Sequence, residues 1–206
     1  MHLFRRISMW LTPYKYDNIP EEALQPRKKL AVNWASVRHG QLGVELSTHA
    51  GPLNDQLVLE KLSSADYDHG LYHHDRGLHQ VAIYFPKNAG VRYHFRSNKN
   101  RKKLRPMLYP KAYKSFDRTH VIPLGFHGSE NDRRLVVGWN SQLNRGPMNK
   151  FEGEVKRINQ SVEILWYVSI HLETDGTAVW QSKVWDASGS LRKDASWHDN
   201  SQFVWR

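Results

Sequence analysis

Cysteine is absent from the chain, which excludes disulfides, thiolate metal sites and cysteine nucleophiles and leaves any chemistry to histidines and oxygen groups. Long apolar runs are missing too. The stretch that follows Arg5 and Arg6, "ISMWLTPYKY", is too short and too polar for a signal-peptide core or a membrane span. A cytoplasmic location is therefore expected, or a secreted one if a leader has been removed, and no membrane partner. Acidic residues are scarce: 20 Asp and Glu stand against 30 Lys and Arg, giving a formal net charge of +10 and a pI near 9.8.

What is present is a basic chain with 12% aromatics and 24% charged residues, a composition that folds rather than one that stays disordered. At 206 residues it is long enough for one domain with a core of its own. A positive balance serves solubility in any protein. Mixed with Trp, Tyr and Phe it also offers phosphate neutralisation and stacking faces, so a nucleic-acid partner is expected ahead of an anionic membrane surface.

Residues 1–30, with Pro13, Pro20 and Pro26, read as an extended N-terminal arm on a single domain spanning 1–206. "LEKLSSADY" (59–67) suggests a short helix. "LHQVAIYFP" (78–86) and "VRYHFRS" (91–97) alternate as strands and suggest a hairpin about the turn at 88–90. "NKNRKKLRPMLYPKAYKS" (98–115) reads as a basic loop, with Lys99, Arg101, Lys102, Lys103, Arg105 and Lys111 as a surface for tracking a phosphate backbone. "MNKFEGEVKRINQ" (148–160) sets Phe151, Val155 and Ile158 at helical spacing after Gly146 and Pro147. "VEILWYVSIHLE" (162–173) and "TAVWQSKVWDA" (177–187) read as long strands about "TDG". The fold class expected is α+β, a mainly antiparallel sheet with few helices.

Two stretches carry histidine-rich chemistry. "DYDHGLYHHDRGLH" (66–79) holds His69, His73, His74 and His79 among aspartates, but Gly70 and Gly77 argue against a helix and the spacing matches no zinc pattern. It reads as a solvated or substrate-facing loop. "SFDRTHVIPLG" (115–125) is quieter, yet it is followed by "GWNSQLNRGPMNKFEGEV" (138–155), where Asn144 opens an Asn-x-Gly step and Glu152 stands eight residues on. Each of these residues alone would pass for a turn former or a helix-dipole partner.

In that order and spacing, Asp117-Arg118-Thr119-His120 with Pro123, then Asn144, Gly146 and Glu152, the chain resembles the DNA/RNA non-specific endonucleases, nucleases of the ββα-metal (His-Me finger) class. The resemblance covers about residues 115–157. Thr119 stands where the family usually has glycine and Met148 where it often has tryptophan; the family's Pro-Gln pair upstream of the metal ligand is replaced by "LVVGW". It implies a ββα-metal core and metal-dependent hydrolysis of phosphodiesters in both DNA and RNA with little sequence specificity. A non-catalytic nucleic-acid-binding protein on the same scaffold is the alternative.

The resemblance also implies roles. His120 is the expected general base, because imidazole accepts a proton near neutral pH. Asn144 is the expected direct ligand of one Mg²⁺, with Mn²⁺ as a substitute, and Glu152 is expected to orient metal-bound water. Asp117 is expected to brace the motif, while Arg118 pairs with either the phosphate or Asp117. Lys156 and Arg157, with Lys102, Lys103 and Arg105, are candidate nucleic-acid contacts. A low-specificity nuclease needs restraint, so an inhibitor protein is a further expected partner. Oligomeric state is left open.

Overall fold

The computed structural model describes residues 44–91, 106–111, 116–127 and 132–205. The expected N-terminal arm, almost all of the expected strand at 91–97 and the basic residues Lys99, Arg101, Lys102, Lys103 and Arg105 lie outside the described residues. The architecture is α+β, dominated by antiparallel strands. A six-stranded sheet is built from β1 (Glu45–Thr48), β2 (His69–Asp75), β3 (Leu78–Phe85), β7 (Ile164–Leu172), β8 (Ala178–Asp186) and β9 (Leu191–Asp199), in the order β1-β2-β3-β7-β8-β9. Only β1 and β2 in this sheet run parallel.

Alternation decides which face each strand buries. Val81, Ile83 and Phe85 of β3, with Ile164, Trp166, Val168 and Ile170 of β7, join one large core, whereas Ala82, Tyr84, Leu165 and Tyr167 turn to the other face. Each such aliphatic or aromatic side chain contributes roughly 1.5–3 kcal/mol on burial. The second face is covered by α1 (Asp55–Ser64), whose first turn is capped by Asn54: its Oδ1 accepts the N–H of Leu57 at 2.9 Å. The helix expected at 59–67 thus begins earlier and stops sooner.

The histidine-rich stretch 66–79 is a strand hairpin, correcting the loop expected there. β2 pairs with β3 from Gly70↔Ile83 to Asp75↔Leu78, and Arg76 and Gly77 make the turn, Gly77 at φ +86. Polar side chains hid a strand whose inward positions, Gly70, Tyr72 and His74, alternate with a period of two. Both edges of β3 are taken, one by β2 and the other by β7, which corrects the hairpin expected about the turn at 88–90. His69 is exposed beside Glu45 at 3.0 Å, His73 bonds the carbonyl of His49 at 3.1 Å, and His79 donates through Nε2 to the carbonyl of Arg134 at 2.8 Å. Among the described residues, no three His, Cys, Asp or Glu are grouped to hold a metal ion.

A second unit lies on the first face. β5 (Phe116–His120) and β6 (Val136–Asn140) pair antiparallel, from Phe116↔Asn140 to His120↔Val136. Between them come α2 (Leu124–His127) and a 3₁₀ turn at Arg133–Leu135. After β6 the chain enters α3 (Ser141–Leu143), a π-turn (Asn144–Met148) and α4 (Asn149–Ser161). A two-stranded ribbon of β4 (Leu108–Pro110) and β10 (Phe203–Trp205) closes beside β6. Trp139 of β6 packs on Trp180 and Phe203, both at 5.3 Å between ring centroids; Phe151 of α4 packs edge-on against Trp197 at 5.2 Å. The buried Asn159 clips the far end of α4, donating to the carbonyl of Pro86 at 2.9 Å and accepting from Gly90 N–H at 3.0 Å. No helix among the described residues is long and apolar enough to cross a membrane.

Two histidines are sealed in this core. Burial holds His79 down to about 3 and His127 down to about 4. Both stay neutral in the folded chain while the unfolded chain takes up protons below about 6.5, so unfolding is favoured as pH falls through that range. Relative to a His127→Gln variant, the wild type should lose on the order of 2 kcal/mol of unfolding free energy between pH 7.5 and pH 5. Urea titrations at the two pH values measure this; a wild-type–variant difference that does not change with pH would contradict it.

Candidate active site

Asn140 is the pivot on which the site is built. Its backbone ends β6, where its N–H is held by the buried carboxylate of Asp199 at 3.2 Å, and its side chain opens the helix by accepting from the N–H groups of Gln142 (2.9 Å) and Leu143 (3.2 Å). The helix therefore starts at Ser141, before the Gly146-Pro147 pair expected to begin it. Asn144 is consequently helical, with φ −61 and ψ −48, and not part of an open Asn-x-Gly turn. Pro147 sits inside this segment. Having no N–H, it cannot bond the carbonyl four residues back, and the chain answers with the wider π-turn.

The π-turn directs two consecutive side chains onto β5. Asn144 Nδ2 donates to Asp117 Oδ2 at 3.1 Å; Arg145 donates through Nε to Asp117 Oδ2 at 2.8 Å and through Nη2 to Oδ1 at 2.6 Å. The Arg145 guanidinium, with Asn144 and Ser141 adding hydrogen bonds, holds the Asp117 carboxyl below the usual carboxylate range. Arg145, which the sequence did not single out, is a partner of the Asp117 carboxylate. Arg118 is exposed and Thr119 and His120 are buried.

Thr119 occupies a regular strand position opposite Val137 and is not among the residues with positive φ, so its β-carbon meets no backbone obstacle where the family has glycine. Arg118 and His120, two residues apart on a strand, leave it on a common face. His120 stands three residues beyond Asp117, about 10 Å of extended chain. Its ring lies 5.8 Å from that of His127, which itself donates from Nε2 to the carbonyl of Ile122 at 2.9 Å. His127 is a buried neighbour that the sequence reading passed over; the "GFH" step after Pro123 was its only signal.

Glu152 sits on the inward stripe of α4, one turn after Met148, one before Val155 and two before Asn159, all three buried. The carboxyl is half-buried and has no hydrogen-bond or ion-pair partner among the described residues, and its removal from water pushes it up to about 7. Lys156 is half-buried, its stem packed over Gly90, and Arg157 is exposed. Lys111, at the end of the basic stretch, is exposed, and its N–H donates to the carbonyl of Gln202 at 2.7 Å. The structure thus joins Asp117, Asn144 and Arg145 by direct contact and places Arg118 and His120 further along the same strand, with Glu152 two turns down the helix.

No protein-family model, no curated protein and no solved structure matches the chain.

The raised carboxyl of Glu152 has a measurable consequence. Between about 4.5 and 7 the native chain holds a proton that the unfolded chain releases, so this group subtracts stability as pH rises and the loss is complete above 7. Glu152→Gln should therefore gain stability over the wild type between pH 5 and pH 8, by on the order of 2 kcal/mol once partial solvent access is allowed for. Chemical denaturation at both pH values reads this directly, and an equal gap at pH 5 and pH 8 would contradict it.

Proposed function

We propose that the chain is a metal-dependent endonuclease that hydrolyses phosphodiester bonds of DNA and RNA with little sequence specificity, on a ββα-metal core formed by β5, β6 and the helix that follows. The observation that carries the reading is the strand–strand–helix unit spanning 116–161, in which Asp-Arg-Thr-His lies on the first strand and Asn144 and Glu152 on the helical segment after the second, with Asn144 bonded to Asp117.

The donor set fits a hard divalent cation such as Mg²⁺ or Mn²⁺. Asn144 spends its amide nitrogen on Asp117, which leaves Oδ1 as the neutral oxygen donor, and Glu152 contributes a carboxyl with no hydrogen-bond or ion-pair partner among the described residues. When bound, the ion supplies Lewis-acid charge to the scissile phosphate and the leaving oxygen. The chain's own residues do the rest. His120 accepts a proton from the attacking water at a ring nitrogen. Arg118, exposed on the same strand face, neutralises phosphate oxygens. Glu152 accepts hydrogen bonds from water held near Asn144. Asp117 stays ionised and reacts with nothing: its two oxygens are occupied in holding Arg145 and Asn144.

Recognition through phosphates explains the charge balance of the whole chain. Lys156 and Arg157 on α4 are candidate contacts from the described residues, and Lys102, Lys103 and Arg105 from the basic stretch. Contacts of this kind carry no sequence information and release counterions, so affinity falls steeply with salt. An enzyme of this kind needs restraint in the cell that makes it, and an inhibitor protein remains part of the proposal.

Digestion of supercoiled plasmid, linear duplex and single-stranded RNA in Mg²⁺ or EDTA tests the reading. All three should be cleaved in Mg²⁺ and none in EDTA, and His120→Ala should lower the rate by about 10²–10⁴. Retarded mobility of the same substrates without cleavage would instead mark a binding protein on a nuclease-like scaffold. Separately, charge reversal at Lys102 and Lys103 should weaken substrate binding and flatten its dependence on salt; binding unchanged across a salt titration would remove those two residues from the interface.

A further inference from the structure

We propose that Arg145 is a positioning residue for Asn144, acting through the Asp117 carboxylate that the two side chains share. The inference rests on the nuclease reading for its biological meaning, though its geometry stands apart from it. Arg145 is a surface residue, its side chain 74% exposed, and such a residue ordinarily spreads over many rotamers. Here its planar fork closes on both oxygens of Asp117, at 2.6 and 2.8 Å, the two-point geometry that a lysine cannot reproduce. Asp117 is 21% exposed, so one wall of the pair is protein.

The consequence falls on the amide next door. An ionised carboxylate only accepts hydrogen bonds, so the group of Asn144 that faces it must be the NH₂, and the carbonyl oxygen is turned away. The terminal torsion of asparagine is broad and roughly two-fold. With the carboxylate fixed, one of its two orientations is selected; with the carboxylate free to rotate and be hydrated, the selection weakens and the NH₂ group is presented to a cation for part of the time. Groups that orient a ligand in this way are worth about 10–100-fold in metal affinity. Pro147 belongs to the same device, because the wide turn it imposes is what places residues 144 and 145 side by side against β5.

The test uses the full chain with Arg145→Gln and Arg145→Lys. Mn²⁺ affinity is measured without nucleic acid by electron paramagnetic resonance, and the Mg²⁺ dependence of plasmid cleavage is measured alongside. Arg145→Gln should raise the Mn²⁺ Kd about tenfold. The half-saturating Mg²⁺ concentration should rise by the same factor, with kcat at saturating Mg²⁺ changed less than twofold. Arg145→Lys should recover part of the loss, since a point cation holds one oxygen. The side-chain amide of Asn144, assigned by its disappearance in Asn144→Asp, should exchange with solvent faster in Arg145→Gln.

An unchanged Mn²⁺ Kd, with a raised KM for nucleic acid and a flatter salt dependence, would make Arg145 a phosphate contact and overturn the proposal. A wild type that binds Mn²⁺ without cleaving sinks the nuclease reading alone, and the Kd ratio then still decides the role of Arg145. A wild type that binds no Mn²⁺ at millimolar concentration overturns the proposal.

Discussion

The strand–strand–helix unit cannot bury its own apolar surface. Two short strands and one helix enclose too little volume, and what holds them is the aromatic face of the six-stranded sheet. Trp139 and Phe151 come from the unit; Trp166, Trp180 and Trp197 come from the sheet, with Phe203 between them, and Phe126 meets Trp166 edge-on at 5.2 Å. Large rigid rings bury much area with few torsions to freeze, so they fix the unit's orientation as well as its adhesion. Every distance in the candidate site depends on that seat.

Given the seat, polar links set the finer geometry. Asp199 holds Asn140 at the end of β6, Asn140 starts the helix, and Asn159 clips the helix's far end to the chain at Pro86 and Gly90. Between those fixed ends the helix would be regular were it not for Pro147, and the irregularity is what turns Asn144 and Arg145 toward β5. A proline in a helix interior ordinarily costs about 3 kcal/mol. Here the π-turn absorbs the missing hydrogen bond, and the shared carboxylate of Asp117 closes the gap between helix and strand.

Much of this was legible in the residues. The period-two runs at 162–173 and 177–187 and the amphipathic spacing of Phe151, Val155 and Ile158 are strong signals, and the structure has strands and a helix there. The strand at 78–85 was read, but its partner β2 was missed because histidines and aspartates occupy positions where apolar residues usually announce a strand; Tyr72 and His79 are buried all the same, in contact with one another. β9 was missed for a related reason. As an edge strand it buries only one flank, and Arg192, Lys193 and Asp194 mask its alternation. In the site, the residue types and their order were readable, but the partner of Asp117 was not. Arg145 occupies a position that no spacing rule marks, and its contact arises from a π-turn, which periodicity of 3.6 residues does not foresee.

Glu152 is the place where local rules and the structure part company. In a chain with a +10 balance, a glutamate on a helix with lysine four residues on would ordinarily form the i,i+4 pair that stabilises isolated helices. Lys156 instead lays its stem across Gly90, and it is Glu154, two residues after Glu152, that pairs with Lys193 of β9. The carboxyl of Glu152 is left half-buried on the stripe between Met148 and Val155, at a cost to stability that grows above pH 5. Glutamine there would keep the shape and remove the cost. A group that destabilises the fold while a near-isosteric substitute would not is the pattern expected where a site has been built for something other than stability, and in the proposed reaction that something is water held beside Asn144.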